Sequence, residues 1–411
     1  MFRCRDPTPR ETALIAYLQL FQTSVPENPL QRFVMLSLSE YRRYARHLTI
    51  PEFGVNGQQR LRTSSVLCIG AGGLGSPVLM HLAAAGVGRL GIVDFDVVEE
   101  SNLQRQLLYG TNDVGTKKVE AAARRLRDLN PHVTIETHDA RFTRDNAEAL
   151  LARYEVLVDG TDNFQTRYLC NDVAVRTRKA NVYGAVHRFE GQLSVFAPHL
   201  GSPCYRCLFP SPPPPGTVPS CAEAGVIGIL PGIIGLLQAT ETLKLLAGLG
   251  DSIAGRLLHF DALSMRFREI KLRRDPACAV CGDQPTLTVL PDYELFCGVP
   301  CQPALAGAEL TVMEFDALRR SGDPYFLLDV REPDELLICR FPEAKNISLG
   351  ELPERLGEID AQGRVIVHCR SGGRSAHAVN LLRQRGFSRA QNLAGGINAW
   401  SREIDPEVPF Y

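Results

Sequence analysis

The stretch "VLCIGAGGLGSPVLMHLAAAG", residues 66–86, decides the fold of the larger part of this chain. An apolar run of strand character meets a glycine turn, and apolar positions in helical spacing follow. Such a turn delivers the N-terminus of a helix to the end of a strand, so free backbone N–H groups and the helix dipole face any anion lying there. Outward from it, "RLGIVDF", "HVTIETH" and "YEVLVDG" read as further strands, with helical periods from Gly115, near residue 143 and after residue 160. Strands alternating with helices imply a parallel, doubly wound, Rossmann-like α/β sheet. "KANVYGAV" and "GQLSVFAP" extend it with a pair suited to antiparallel pairing.

A chain of 411 residues exceeds one comfortable core and predicts two or three domains. With 45 basic and 46 acidic residues, the whole chain has no charge bias toward nucleic acid or an anionic membrane. Twelve cysteines are too sparse for a disulfide scaffold, and four of them form two C-x-x-C pairs, which suits a reducing compartment, the cytoplasm. The N-terminal stretch "MFRCRDPTPRETALIAYLQLF" carries Asp6 and Glu11 within its apolar part and no small-residue cleavage site, so it does not read as a signal peptide. Organised sequence begins near Met35. The apolar segment "GVIGILPGIIGLLQATETLKLLAGL" is interrupted by Pro231, Glu241 and Lys244; it is expected to be a buried helix, not a membrane span.

Composition divides the rest. "SPPPPGTVPSC", residues 211–221, predicts an extended crossing loop, because consecutive prolines exclude helix. A first domain over 37–283 follows an extension at 1–36, and the Pro-, Gly- and Cys-rich stretch 284–307 reads as a linker. After it, "YFLLDVRE", "RVIVHCR" and "AQNLAGGINAW" mark a second small α/β unit over 308–411.

The chemistry around the first glycine turn narrows its use. Asp94 ends the next strand, where a ribose-binding carboxylate belongs. A glycine fingerprint of this kind also suits a nicotinamide-dependent oxidoreductase. Arg105, Lys118, Asp162 and Asn163 shift the balance: a triphosphate attacked at its α-phosphorus needs cations and a carboxylate-held magnesium to spread charge, whereas a pyrophosphate bridge needs little such help. Arg105 and Lys118 as plain solvated charges, and two domains that only recruit a protein without turnover, are the other readings the residues permit.

At these residues the chain resembles the ubiquitin-activating superfamily, specifically the adenylyltransferases of the molybdopterin-synthase and thiamine-pathway type. The matching stretches, in order, are "YRRYARHL", "GAGGLGSP", "DFDVVEESNLQRQ", "VGTKKVE", "DGTDNFQTRY", "YGAVHRFEGQLSVF", "CYRCLFP", "SCAEAGV" and "CAVCGD". The resemblance implies ATP and Mg2+ bound by Gly73, Asp94, Ser101, Asn102, Leu103, Gln104, Arg105, Lys118, Asp162 and Asn163. It also implies that Arg46 reaches a phosphate across a homodimer interface. The activated group is then the C-terminal glycine carboxylate of a ubiquitin-like sulfur-carrier protein ending in Gly-Gly.

Cys204 and Cys207 in "CYRC", with Cys278 and Cys281 in "CAVC", have the two-plus-two arrangement of a closed tetrahedral Zn2+ site, structural because no ligand position stays open. A redox thiol pair is the alternative for either motif alone. Cys221 aligns with the cysteine that in some relatives bonds covalently to the carrier's glycine; a spectator thiol is the alternative. Cys297 and Cys301 receive no assignment.

The second glycine loop lies in "VIVHCRSGGRSAHAVNLLRQRG", where a strand delivers Cys369 to backbone donors and a helix begins beyond it. Loop donors, helix dipole, Arg370 and Arg374 favour thiolate there. Four residues separate Cys369 from Arg374, one fewer than in a tyrosine-phosphatase-like loop, and the smaller ring suits a sulfur atom. Residues 308–411 resemble a rhodanese domain, with "LLDVREPDE" and "GGINAW" as further marks. Asp329 is expected to tie the loop structurally. Adenylation at the first cradle, with persulfide sulfur from a donor such as a cysteine desulfurase carried on Cys369, implies a thiocarboxylate product.

Overall fold

The computed structural model describes residues 35–213, 225–297, 308–360 and 363–411. Among them the chain forms two α/β units. The first is built on strands β1 (Ser65–Ile69), β2 (Arg89–Asp94), β3 (Thr134–Asp139), β4 (Val156–Asp159), β5 (Ala180–His187), β6 (Glu190–Phe196), β7 (Arg256–Asp261) and β8 (Arg266–Lys271). Their order in the sheet is β3-β2-β1-β4-β5-β6-β7-β8. Pairing is parallel from β3 through β5 and antiparallel from β5 to β8.

Every residue of β1 is buried, because helices cover both faces of a parallel sheet. Alternation along the strand then feeds two cores: Val66 and Cys68 join one apolar cluster, Leu67 and Ile69 the other. The expected strands are all present. The hairpin of β7 and β8 carries no such signal: β8, "RFREIK", is exposed throughout and has no strict apolar alternation. The long apolar segment is a helix, Ile229–Ala247, with Pro231 inside its first turn, where a missing N–H costs nothing. It packs on β5, β6 and the helix Gly75–Ala85. Its buried Gln238 amide donates to the carbonyls of Asp159 at 2.7 Å and Val182 at 3.0 Å, tying the helix to two sheet strands.

The proline-rich crossing loop begins at the end of the described residues before 214, and most of it, with Cys221, lies outside them, as does Cys301. The stretch expected as a linker differs from expectation in its first half. Residues 284–297 dock on the first unit, with a short helix Tyr293–Phe296 against the helix Phe164–Arg176. The cause is a buried ion pair: Arg206 donates from Nε and Nη2 to the two oxygens of Asp172 at 2.8 and 2.7 Å, and the Tyr293 hydroxyl donates to the same carboxylate at 2.7 Å. The Phe296 ring stands 4.5 Å from the Arg206 guanidinium carbon. Cys297 is buried there and burial pushes its thiol up to about 11, which makes it an inert packing residue.

The second unit has five parallel strands, β9 (Glu309–Leu310), β10 (Phe326–Asp329), β11 (Lys345–Asn346), β12 (Val365–His368) and β13 (Ala390–Leu393), in the order β11-β10-β12-β13-β9. Helices Val312–Ser321, Gly373–Gln384 and Gly396–Glu403 accompany it.

The docked segment gives a stability test. Asp172→Ala leaves the Arg206 guanidinium buried without its counter-charge and should cost on the order of 3–5 kcal/mol in denaturant unfolding, whereas Tyr293→Phe should cost about 1 kcal/mol. Equal midpoints for Asp172→Ala and wild type would contradict this account of the docking.

Candidate functional site

The first site is a cavity of about 400 Å³ at the C-terminal ends of β1, β2 and β4. Strand order reverses between β1 and β4, so the two connections leave the sheet in opposite directions and open a crevice there. Gly70 adopts a left-handed φ of +87°, and the chain then doubles back so tightly that a Cβ on Gly75 would lie 2.0 Å from the Gly70 carbonyl oxygen. Only glycine fits both demands.

Of the residues expected to bind ATP, Gly73, Asp94, Asn102, Arg105, Lys118, Asp162 and Asn163 line this cavity. Asp94 accepts from the backbone N–H of Ala71 at 2.8 Å and of Asp96 at 2.9 Å, which fixes the carboxylate against the turn. Burial pushes its carboxyl above the ordinary aspartate value, and the charge of Lys118 opposes that rise. Lys118 is itself buried and donates to Asp96 at 3.1 Å. Arg105 bonds the Ser101 carbonyl at 3.0 Å. Asp162 is exposed at the mouth, and Asn163 caps the following helix by accepting from the Thr166 N–H at 2.9 Å.

Ser101, Leu103, Gln104 and Arg46 do not line the cavity. The Ser101 hydroxyl bonds Glu99, Leu103 packs against the core, and Gln104 abuts Gly228. Arg46 is exposed on the short helix Ala45–Leu48. Sequence reasoning missed Arg167, a buried cation in the cavity wall, with its guanidinium carbon 5.6 Å from the Phe164 ring centroid. Its signal lay in "TDNFQTR": four residues after an N-cap, a side chain returns to the face of the helix where the cap began.

The four cysteines of the two C-x-x-C motifs converge, with all Sγ atoms within 4.8 Å of one another. Adjacent separations are 3.6 Å for Cys204 and Cys278, 3.4 Å for Cys207 and Cys281, and 3.9 Å for Cys204 and Cys207. Four thiolates around a metal at about 2.3 Å stand about 3.8 Å apart, so the cluster fits a tetrahedral ion. Arg274 and the Asp275 N–H hold the outer shell, donating to the Cys281 carbonyl and the Cys207 sulfur respectively.

In the second unit Cys369 is 1% exposed at the end of β12. Its Sγ accepts from the Gly372 N–H at 3.2 Å and the Ser375 hydroxyl at 3.3 Å. Gly372 takes φ +92°, which turns its N–H inward, and the N–H groups of Ile397 and Asn398 hold the carbonyls of Cys369 and Arg370 from behind. Asp329 and Arg331 form a buried pair, with Arg331 donating to both carboxylate oxygens. His368 is wholly buried beside them, and burial lowers its imidazole to about 4, so it stays neutral. Arg374 departs from the sequence expectation: it forms a bidentate pair with Glu335 at 2.6 and 2.8 Å. The Gly372 N–H and the Ser375 hydroxyl that donate to the sulfur are neutral groups.

Comparison with known proteins matches both units to known families. The ThiF family profile matches residues 44–280, and the rhodanese-like domain profile matches residues 311–403. The probable adenylyltransferase/sulfurtransferase MoeZ of Mycobacterium tuberculosis is 46% identical over 384 residues, covering 92% of this chain and 96% of that protein. The adenylyltransferase and sulfurtransferase MOCS3 of Aedes aegypti is 44% identical over 394 residues, covering 92% and 90%. Among solved structures, E. coli MccB with MccA-N7isoASN has a TM-score of 0.52 at 19% identity over 68% of this chain and 83% of that one, a likeness of fold. The oxidoreductase alternative gains no support from any of them. With a nucleotide-type cavity and a cradled cysteine in one chain, and relatives matched along most of both lengths, this protein belongs to the enzyme family of adenylyltransferases and sulfurtransferases that join a ThiF domain to a rhodanese-like domain.

Proposed function

We propose that the protein activates the C-terminal glycine of a ubiquitin-like sulfur carrier ending in Gly-Gly and converts it to a thiocarboxylate. The observation that carries this is the convergence of Asp94, Arg105, Lys118 and Asp162 on one switch-point cavity, in the same chain as a sulfur atom cradled by loop donors. In the first half-reaction the carrier carboxylate attacks the α-phosphorus of ATP, and pyrophosphate leaves. Lys118 and Arg105 take up the charge that builds on the phosphates, and Asp94 receives the ribose hydroxyls. Asp162 would hold Mg2+, which would supply charge neutralisation at the phosphate oxygens. Arg46, exposed outside the cavity of its own chain, serves the other copy of a homodimer.

In the second half-reaction the terminal sulfur of a Cys369 persulfide attacks the acyl carbonyl, and AMP leaves with the bonding electron pair. The acyl disulfide that results is opened by a second thiol, which becomes disulfide-bonded to Cys369 while the thiocarboxylate departs. We assign that thiol to Cys221, which lies outside the described residues. The cysteine cluster holds Zn2+ as a structural ion, since four thiolates leave no open coordination position. The persulfide donor is of the cysteine-desulfurase class, the compartment is the cytoplasm, and the pathway is molybdenum-cofactor synthesis or a related sulfur transfer.

Three measurements test this. Asp162→Asn should lower carrier-dependent ATP–pyrophosphate exchange by at least about a hundredfold while leaving the fold intact; near-normal exchange would sink the assignment. Cys369→Ala should keep exchange within about twofold, yet lose thiosulfate-to-cyanide transfer and thiocarboxylate formation, since adenylation uses only the first unit and alanine offers no nucleophile. Thiocarboxylate made at the wild-type rate by this variant would remove Cys369 from the relay. Cys278→Ser should drop zinc content from one per chain and cost several kcal/mol of stability; zinc-free wild-type protein, or a variant of unchanged stability, would refute the ion.

A further inference from the structure

The cations of the sulfur loop are held by a residue far away in sequence. Arg370, directly after Cys369, donates from Nε to the main-chain oxygen of Tyr411, and its guanidinium carbon stands 5.0 Å from the Tyr411 ring centroid. Asn398 donates from its side-chain amide to that same oxygen at 2.7 Å and, through its backbone N–H, to the Arg370 carbonyl at 3.0 Å. The Tyr411 hydroxyl accepts from Arg331 at 2.7 Å and donates to Glu335 at 3.0 Å, the carboxylate that grips Arg374. One tyrosine thus joins the buried Asp329–Arg331 pair to both loop arginines. Burial pushes the phenol above its ordinary value, so it stays a donor. Burial alone would raise Glu335 as well, but its bonds to Arg374 hold the carboxyl down, so it stays the acceptor.

A sulfur donor reaching Cys369 is anionic, and Arg370 and Arg374 are the cationic side chains of the loop it must enter. Long arginine side chains lose rotamer freedom when they engage an anion, so a site whose guanidinia are already fixed binds it more tightly. We propose that Tyr411 is a positioning residue of the sulfurtransferase site, presetting Arg370 directly and Arg374 through Glu335 for recognition of the anionic sulfur donor. This rests on the sulfur-relay reading of Cys369.

The test uses the full chain, thiosulfate as donor and cyanide as acceptor. The Cys369 thiolate takes the outer sulfur as the S–S bond of thiosulfate breaks and sulfite leaves with the electron pair; cyanide then removes that sulfur as thiocyanate and restores the thiolate. Tyr411→Phe keeps the ring stack and loses the hydroxyl, so KM for thiosulfate should rise roughly tenfold, the effect of one hydrogen bond to a charged group. Tyr411→Ala loses the stack too and should raise KM further. In both, kcat should stay within about twofold and ATP–pyrophosphate exchange should be unchanged, as for a residue that orders a binding group, while the lost hydroxyl bonds lower the melting temperature whichever role Tyr411 has. Unaltered KM in both variants overturns the inference. So does a fall in kcat at constant KM, the mark of a structural role. Cys369→Ala in the same assay separates the two readings: activity retained there sinks the relay itself, whereas activity lost there with normal KM in the tyrosine variants sinks only the role of Tyr411.

Discussion

Gly75 stands so near the carbonyl of Gly70 that no side chain fits between them; an added Cβ would lie 2.0 Å from the oxygen. From this contact follows the rest of the first site. The tight return sets the start of the helix Gly75–Ala85 at the end of β1, leaves the Ala71 N–H pointing at Asp94, and lets the Tyr109 hydroxyl brace the Ala71 carbonyl at 2.8 Å. A looser turn would move the helix start away from the strand ends, where Lys118 and Asp162 arrive from their own strand–helix connections.

The two cradles of this chain solve different electrostatic problems with related backbone geometry. A triphosphate is large and highly charged, so the first site is wide and lined with cations. A sulfur atom carries at most one charge, so the second closes on it with one N–H and one hydroxyl, at 3.2 and 3.3 Å. Beside that cradle the Arg374 guanidinium is bonded to both oxygens of Glu335.

Buried ion pairs anchor the surroundings of each site. Asp172 and Arg206, with Tyr293, hold the segment 284–297 to the first unit and bring "CYRC" to the helix Phe164–Arg176, which sets one half of the cysteine cluster. Asp329 and Arg331 do the same below the sulfur loop, and Asn346 donates to the carbonyls of both residues. Such pairs repay their desolvation only when every donor finds its acceptor, which is why each is surrounded by further hydrogen bonds.

The sequence by itself determined the doubly wound sheet, the second α/β unit, the two glycine cradles and the cysteine quartet. These depend on local rules: strand and helix periods, glycine where a backbone must turn or approach closely, and ligand spacing within one turn of chain. It was silent on the β7–β8 hairpin, where exposed residues leave no apolar alternation, and on the docking of residues 284–297, whose composition resembles a linker and whose partner lies over a hundred residues earlier. Arg167 was within reach, since its distance from the Asn163 cap places it on the cavity face. The pairing of Arg374 with Glu335 was not, because a charged side chain takes its direction from the nearest unpaired counter-charge in space, and Glu335 and Tyr411 come to the loop only when separate strands of the second sheet assemble.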